Sequence, residues 1–316
     1  MVHGYDALDD KTLNTRTGKG GLGIARRENL EAYLFLLPWI IGFLVLTIGP
    51  ILASLGLSFT DWQVGLGMNF IGLENFRLMV VEDDLFKKSL GVTFNYSLMA
   101  LPAGIVVALA MALLLNQKVF GIGVFRTIYY LPAVTSGVAV AMLWAWIFNS
   151  EFGLLNWALD LINVKGPAWL LEPRWALPAF AVMSLWGAGG LMIIYLASLQ
   201  AIPQTLYEAA QIDGANVARQ FLHVTLPMLT PTILFNLVVG IIAVFQTFTN
   251  AYIMTAGGPN FATYFYVLHL YNNAFGYARM GYASALAWVL FVIVLVMTLA
   301  VLRTSQYWVF YSGEKE

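Results

Sequence analysis

Residues 92–115 of the chain read VTFNYSLMALPAGIVVALAMALLL, 24 consecutive positions without Asp, Glu, Lys, Arg or His. A helix rises about 1.5 Å per residue and the hydrocarbon core of a bilayer is about 30 Å thick, so about 20 apolar residues cross it. This stretch is therefore long enough to span a membrane as a helix. A membrane β-barrel would show short alternating segments instead of one long uncharged block.

Five further windows share this length and this lack of charged side chains. They are residues 34–59, 128–148, 176–199, 230–254 and 283–302. Because lipid offers no hydrogen-bond partners to the backbone, only helices and closed barrels cross it. The sequence therefore predicts an all-α integral membrane protein, a bundle of six transmembrane helices with both termini on one side.

Composition supports the same class. Of the 316 residues, 60% are hydrophobic and 10% are charged, and the mean hydropathy is +0.75. Soluble domains are about 45–50% apolar and about 25% charged. The balance excludes a cytosolic enzyme and a disordered chain, and a net charge of −1 excludes a nucleic-acid binder. The absence of cysteine excludes disulfides, thiolate nucleophiles and Cys-ligated metal sites.

The distribution of basic residues predicts the orientation. If both termini are cytoplasmic, the segments on that side hold ten Lys and Arg, whereas the other side holds six beside eight acids. The positive-inside rule then places the termini in the cytoplasm. We expect a cytoplasmic tail over residues 1–30, poorly ordered as far as Arg26, a transmembrane domain over 31–306 and a short cytoplasmic tail over 307–316. The first span is too long for a signal-peptide core and is interpreted as a retained anchor.

The six windows contain no ionisable side chain that could relay protons or sodium ions, which disfavours coupling to an ion gradient. They do contain neutral polar groups, among them Gln246, Thr247 and Asn250. On one helix Gln246 and Asn250 would share a face. Amides and hydroxyls beside aromatic rings suit a neutral polyhydroxyl ligand, but they equally form hydrogen bonds between helices. No catalytic or metal-binding group is predicted, and His223 lacks a second ligand.

The loop between the fourth and fifth windows, residues 201–227, reads AIPQTLYEAAQIDGANVARQFLHVTLP. Pro203 suits the first turn of a helix, and residues 207–212 have helix-forming composition. Glu208 offers an exposed negative charge beside small residues that permit close approach of a partner. The alternative role of Glu208 is to compensate the positive end of its own helix.

An Asp-Gly pair then predicts a turn into a second helix. Asp213 is expected to cap that helix, which continues as far as Val224. Pro227 is expected to end it, and Pro231 to open the fifth span. The loop is thus predicted as a short helix–turn–helix lying against the membrane.

This loop resembles the E-A-A-x-x-D-G-A signature of the permease subunits of ABC importers. The matching residues are Glu208, Ala209, Ala210, Asp213, Gly214 and Ala215. Other segments are similar to the maltose-type, sugar-importing branch of that family: FIGLENF at 70–76, RTIYYLP at 126–132 and TAGGP at 255–259. The resemblance covers about residues 31–310. The large extracytoplasmic insertion of the enterobacterial maltose permease is absent.

The resemblance implies the type I ABC importer permease fold and a set of partners. A second, usually different, permease chain would pair with this one in a bacterial or archaeal cell membrane. Two copies of an ATPase would bind the helix at 207–212 from the cytoplasm, and an extracytoplasmic binding protein would deliver a sugar. No cofactor is expected on this chain; ATP and Mg belong to the ATPase, and the sequence has no G-x-x-x-x-G-K-[ST] loop.

The resemblance also places the sugar midway through the membrane, mainly on the fourth and fifth spans. The pathway residues carried over are Gly187, Gly190, Gly240, Gln246, Thr247 and Asn250. Trp186 either stacks on an apolar sugar face or lies at a bundle interface. The alternative role of the glycines is to let helices pack closely, and the alternative place for the sugar site is the partner permease. The remaining alternatives are an importer of glycerol-3-phosphate or another small polar solute, a gradient-driven sugar transporter and a membrane enzyme.

Overall fold

The structure, a computed structural model, describes residues 20–117 and 119–310. Most of the predicted N-terminal tail, residues 1–19, lies outside the described residues, as do Lys118 and the last six residues of the C-terminal tail. The first helix begins at Gly20. Within the described ranges all regular secondary structure is helical, and the only β pairing is an isolated antiparallel bridge between Thr60 and Phe70.

The helices follow one another with short connections. They are α1 (Gly20–Phe43), α2 (Gly49–Leu57), α3 (Glu74–Val81), α4 (Asp84–Leu115), α5 (Ile122–Tyr130), α6 (Gly137–Ile147), α7 (Leu154–Asp160), α8 (Pro173–Leu185), α9 (Gly189–Ala201), α10 (Gln204–Ile212), α11 (Val217–Gln220), α12 (Leu226–Phe245), α13 (Thr249–Met254), α14 (Tyr266–Tyr271) and α15 (Met280–Ser305). Wider π-helical turns at 44–48 and 221–225 join α1 to α2 and α11 to α12.

Five helical segments in the described part of the chain are long and apolar enough to cross a membrane. They are Glu31–Leu57, Asp84–Leu115, Pro173–Ala201, Val217–Met254 and Met280–Ser305. A bent helix pair supplies the sixth predicted span. The all-α membrane fold predicted from the sequence is confirmed, although two of the predicted spans are not continuous helices.

The third span is broken, where a single straight helix was predicted over 128–148. Its two halves, Ile122–Val134 and Gly137–Ile147, meet at 98°. Pro132 has no N–H to donate to the preceding turn, so the helix tightens into a 3₁₀ turn there. Thr135 and Ser136 then adopt extended backbone angles, with ψ of 143° and 130°. The direction of the chain changes at this point.

The fifth span also differs from its prediction, since neither Pro227 nor Pro231 begins or ends a helix. The helical path starts at Val217, passes through the π-helical turn into α12 and ends at Phe245. In the π-helical turn Leu226 N–H bonds to Phe221 O, five residues back. This wider winding accommodates the proline ring that follows. A break after Phe245 separates α12 from α13.

The described chain divides into two units, the first ending at Gly56 and the second running from Leu57 onward. In the second unit α4 is central and packs against α8, α9, α12 and α14. Small buried residues at Ala100, Ala108 and Ala112 let neighbouring helices approach α4 closely. We call the end of this unit that holds α10 and α11 the loop end, and the opposite end, with residues 58–83 and 255–279, the distal end.

Candidate functional site

The loop at 201–227 forms a well-defined helix–turn–helix. Helix α10 ends in a left-handed residue, Gly214, with φ of +76°. Gly214 N–H donates to Gln211 O at 3.0 Å, and Ala215 N–H donates to Ala210 O at 2.9 Å. This pair of bonds is the Schellman arrangement, which favours glycine because a Cβ disfavours the left-handed region. The Asp-Gly pair predicted as a turn is thus the C-terminal cap of α10.

Asp213 does not cap the second helix, as the sequence predicted. It is the C-cap of α10, and Asn216 is the N-cap of α11. The Asn216 side-chain oxygen accepts a bond from Arg219 N–H at 2.9 Å. The prediction was wrong because the left-handed turn at Gly214 extends through Ala215. The cap of α11 therefore falls at Asn216.

Two side-chain hydrogen bonds stabilise the helix–turn–helix. The Tyr207 hydroxyl of α10 lies 2.9 Å from the Thr225 hydroxyl in the π-helical turn. Gln220 Nε2 donates to Ala215 O at 2.9 Å, within the helix–turn–helix itself. Elsewhere, Arg126 of the RTIYYLP segment joins α5 to α4, because its guanidinium donates to Leu115 O. The Tyr207–Thr225 contact therefore links α10 to the turn that continues into α12.

The outer face of the helix–turn–helix is exposed and partly apolar. Glu208, Ala209, Asp213 and Gly214 are exposed, while Ala210 and Ala215 are half-buried. Two apolar side chains are almost fully open: Ile212 is 87% exposed and Val217 is 82% exposed. Apolar side chains so open, grouped around a short amphipathic helix, are typical of a surface that a partner covers.

Glu208 lies in the middle of α10, and the first turn of that helix contains no acid. Compensation of the positive helix end falls off beyond the first turn, so the structure does not support that role for Glu208. Its carboxylate forms no hydrogen bond or ion pair with the residues that the structure describes. The charge is therefore free to meet a partner.

The polar residues predicted for the pathway do not lie on one continuous helix face. Gln246 and Thr247 fall in the break between α12 and α13, and Asn250 belongs to α13. The prediction that Gln246 and Asn250 share one helix face is wrong, because the helix is interrupted between them. Gln246 borders a cavity of about 650 Å³ that is otherwise lined mainly by apolar residues of α14 and α15. Asn250 is half-buried on α13, which packs against α6.

The glycines of the fourth and fifth spans have different surroundings. A Cβ on Gly187 would meet nothing within 4 Å, and one on Gly190 would lie 3.7 Å from the Ala133 side chain. In contrast, a Cβ on Gly189 would lie 2.0 Å from Tyr129 O. Gly240 faces Leu101 of α4, at 2.3 Å from an added Cβ, so it serves helix packing. Gly187 therefore leaves open space beside the backbone, whereas a Cβ on Gly190 would make an ordinary contact.

Trp186 connects the fourth span to the broken third span. Its ring packs edge-on against Trp144, with centroids 5.8 Å apart, and 44% of the side chain is exposed.

The fourth and fifth spans also make polar contacts with each other that the sequence analysis did not predict. Ser198 and Thr232 hydroxyls lie 2.7 Å apart, and Asn236 is fully buried one turn further along α12. The i, i+4 spacing of Thr232 and Asn236 was the available signal.

The distal end contains a polar cluster that the sequence did not predict. Asp83 is the N-cap of α4 and accepts from Phe86 N–H at 2.9 Å. Its other oxygen accepts from the Tyr282 hydroxyl at 2.6 Å and lies 2.9 Å from His269 Nε2. The cluster joins α4, α14 and α15 across almost 200 positions of sequence. Positions so far apart in sequence give no local pattern from which it could be predicted.

Burial sets the protonation of this cluster. Removal from solvent lowers the pKa of His269, and the nearby Asp83 carboxylate offsets only part of that effect. Burial opposes the charged form of Asp83 as well, yet bonds from Tyr282, Phe86 N–H and His269 together lower its pKa. At neutral pH the pair is therefore a neutral imidazole donating to a carboxylate. Within the described residues no group of three or more His, Cys, Asp or Glu side chains is placed to hold a metal ion.

The FIGLENF segment has a structural role at the same end. Asn75, which is 4% exposed, donates from its amide nitrogen to Ser58 O at 2.9 Å and to Thr60 O at 2.8 Å. Ile71 N–H donates to Phe59 O at 2.9 Å beside these bonds. The segment fastens the turn that follows the first span.

Comparison with known families and proteins gives consistent matches. The family described as "Binding-protein-dependent transport system inner membrane component" matches residues 100–307. The probable ABC transporter permease protein YesP of Bacillus subtilis (strain 168) is 44% identical over 295 residues, covering 92% of this chain and 95% of that protein. The trehalose/maltose transport system permease protein MalF of Thermococcus litoralis is 33% identical over 283 residues, covering 89% and 95%.

Solved structures show the same architecture. A chain in the crystal structure of a bacterial ABC transporter involved in the import of the acidic polysaccharide alginate matches with a TM-score of 0.79 and 26% identity, covering 90% of this chain and 98% of that one. The bacterial alginate ABC transporter in complex with alginate pentasaccharide-bound periplasmic protein matches equally well, with a TM-score of 0.79 and 26% identity.

Proposed function

Because the chain belongs to the family of binding-protein-dependent transport system inner membrane components, we propose that it is one permease subunit of an ATP-driven carbohydrate importer. It is a multi-pass protein of the cell membrane. The names of the trehalose/maltose and alginate transporters support a carbohydrate as the solute. The transport energy comes from ATP hydrolysed on a separate chain, since the spans hold no ionisable relay.

The single observation that carries the coupling role is the exposed outer face of α10 and α11. Its free Glu208 carboxylate and its open Ile212 side chain offer one charged and one apolar contact to an ATPase. The residues assigned to this contact are Glu208, Ala209, Ala210, Asp213, Gly214 and Ala215. Movement of the ATPase, which holds ATP and Mg, would reach α12 through the Tyr207–Thr225 bond and the π-helical turn.

The remaining partners follow from this role. A second permease chain completes the translocation pathway, to which this chain contributes Trp186, Gly187, Gly190, Gln246, Thr247 and Asn250. The binding protein docks at the distal end, which is then extracytoplasmic, as supported by the alginate transporter with its periplasmic protein.

Import of glycerol-3-phosphate is less favoured than import of a sugar, because an anion calls for cations along the pathway. The predicted spans contain no Lys or Arg.

The test is capture of the ATPase by this chain. The importer is purified in mild detergent through a tag on this chain, with Glu208→Lys compared with Glu151→Lys. Both reverse one exposed acid, and Glu151 follows Ser150, which lines a cavity together with residues of the 255–259 segment of the distal end. We expect Glu208→Lys to lose the ATPase and sugar-stimulated ATP hydrolysis, while Glu151→Lys keeps both. Equal recovery of the ATPase with both variants would refute the coupling role.

A second measurement separates an ATP-driven importer from a gradient-driven one. Uptake of labelled sugars is followed in proteoliposomes with ATP trapped inside or omitted, and with or without an uncoupler. We expect uptake to require ATP and to survive the uncoupler. Uptake that continues without ATP and collapses with the uncoupler would favour the gradient-driven transporter.

A further inference from the structure

A cavity of about 560 Å³ opens at the distal end and is not part of the coupling loop or of the pathway residues. We call it the distal cavity. It lies between the turn at 61–63, helix α3, the start of α4 and the segment 269–282. Its walls belong to elements that the Asn75 bonds and the Asp83–His269–Tyr282 cluster hold together, so its shape is set by the fold.

The buried residues Asn75 and Asn273 line the distal cavity, and the amide nitrogen of each already donates to backbone carbonyl groups. Asn75 donates to two backbone carbonyls, and Asn273, 3% exposed, donates to His269 O at 2.9 Å. Carbonyls only accept, so these bonds fix which amide atom is nitrogen. Neither Oδ1 atom accepts a hydrogen bond from the residues that the structure describes. Both oxygens are accessible from the distal cavity, so each is free to accept a hydrogen bond from a ligand that donates.

The charged side chains that line the distal cavity are mostly acidic, which also favours a ligand that donates hydrogen bonds. Asp61, Glu82 and Asp83 contribute three carboxylates, against the single guanidinium of Arg279. Glu82 is exposed at the cavity and forms no ion pair with a described residue. Asp83 faces His269, which is neutral at pH 7 because burial lowers its pKa. The lining therefore attracts a positively charged group.

The aromatic lining also suits a cation. Arg279 already lies over the ring of Tyr277, at 5.9 Å from the centroid. Trp62 lines the cavity as well, and no cation from the described residues lies over its ring. Indole is the aromatic ring that best attracts a guanidinium or ammonium group.

We propose that the distal cavity is a socket for a Lys or Arg side chain of the extracytoplasmic binding protein. The inference rests on the proposed function, which supplies the partner. Free amide oxygens, excess negative charge and an indole ring without a cation are the three features that recognise a basic side chain. A neutral sugar would fill the acceptors but would gain nothing from the excess charge. The socket would fix the register of the docked binding protein over the pathway.

The first test measures the cation preference of the cavity directly. The chain contains no cysteine, so a single substitution provides the only thiol on this subunit. Gln63→Cys places it in the cavity, and Gly67→Cys places a control in the same turn, where an added Cβ meets nothing within 4 Å. Each variant, in the importer held in nanodiscs, is modified with cationic or anionic methanethiosulfonate reagents of similar size.

We expect the ratio of cationic to anionic rates to be several-fold larger at position 63 than at position 67 at 0.1 M salt, because the two excess negative charges attract one reagent and repel the other. Glu82→Gln in the Gln63→Cys background is expected to lower that ratio. Equal ratios at the two positions would overturn the inference.

The second test uses the binding protein required for uptake. We expect it to protect the thiol at position 63, and we expect Glu82→Lys to weaken its affinity at least ten-fold. Asp160→Lys, the same reversal on α7, is expected to leave affinity unchanged. Full affinity in Glu82→Lys with an unprotected thiol refutes the socket while the proposed function stands. Protection by free sugar alone makes the cavity a carbohydrate site and refutes the socket. Failure of the unaltered importer to bind the protein refutes the proposed function itself.

Discussion

Gly189, at the start of α9, determines how closely that helix approaches the third span. A Cβ at this position would lie 2.0 Å from Tyr129 O. Carbon–oxygen contacts in proteins settle at about 3.3–3.6 Å, so Gly189→Ala forces the two backbones apart by about 1.3–1.6 Å. The atom that must move is a backbone carbonyl beside the 98° bend, which cannot rotate away as a side chain can.

The loss in the free energy of unfolding caused by Gly189→Ala is the cost of overpacking minus the gain in helix propensity. Overpacking costs about 1–3 kcal/mol, and alanine regains about 0.5–1 kcal/mol over glycine in a helix. Because the overlap is with a backbone atom, the overpacking cost falls in the upper half of its range. The resulting net loss of about 1–2.5 kcal/mol lowers the melting temperature of a domain of this size by about 2–10 °C. Gly190→Ala is the matched control, since its Cβ would make an ordinary contact at 3.7 Å with Ala133. We expect it to melt at the same temperature as the unaltered protein or slightly higher.

The assay is thermal unfolding in detergent, followed by the fluorescence of the ten tryptophans. Uptake in proteoliposomes is the second readout. If Gly190 borders the sugar pathway, Gly190→Ala reduces uptake while the melting temperature stays unchanged. Equal melting temperatures for the Gly189→Ala and Gly190→Ala variants would contradict the packing role of Gly189.

Three further changes have expected outcomes. Asn75→Ala removes the hydrogen-bond donor of two buried carbonyls, which costs about 1–3 kcal/mol of stability for each. The Asn75→Ala variant should therefore melt well below the Asn69→Ala variant, which removes an exposed amide in the same turn. Lowering the pH below the ordinary His value of 6.5 should destabilise the protein, because the unfolded chain then binds a proton that buried His269 does not. His269→Gln should flatten that pH dependence. Gly214→Val forces a β-branched residue to φ of +76°, at about 1–2 kcal/mol, and should weaken ATPase capture, whereas Gly123→Ala should not.

The helix–turn–helix at 201–227 is the part of the site that the sequence predicted best. A short helix, a glycine turn and an exposed Glu208 are all present, because each depends on neighbours within a few positions. The capping residue was misassigned, since the choice between Asp213 and Asn216 depends on how many residues the αL turn uses. The roles of Gly187 and Gly190 in the pathway stay predictions, and the experiment on Gly190 bears on them directly.

The sequence by itself determined the class of the protein. Long uncharged windows cannot stay in water, and their length matches the thickness of a bilayer, so hydropathy alone predicted an all-helical membrane protein. Tertiary structure decided the bend at Thr135, the break after Phe245 and the distal cavity with its Asp83–His269 pair. Those features depend on which helices pack together and on contacts between residues up to almost 200 positions apart, and such contacts leave no periodicity along the chain.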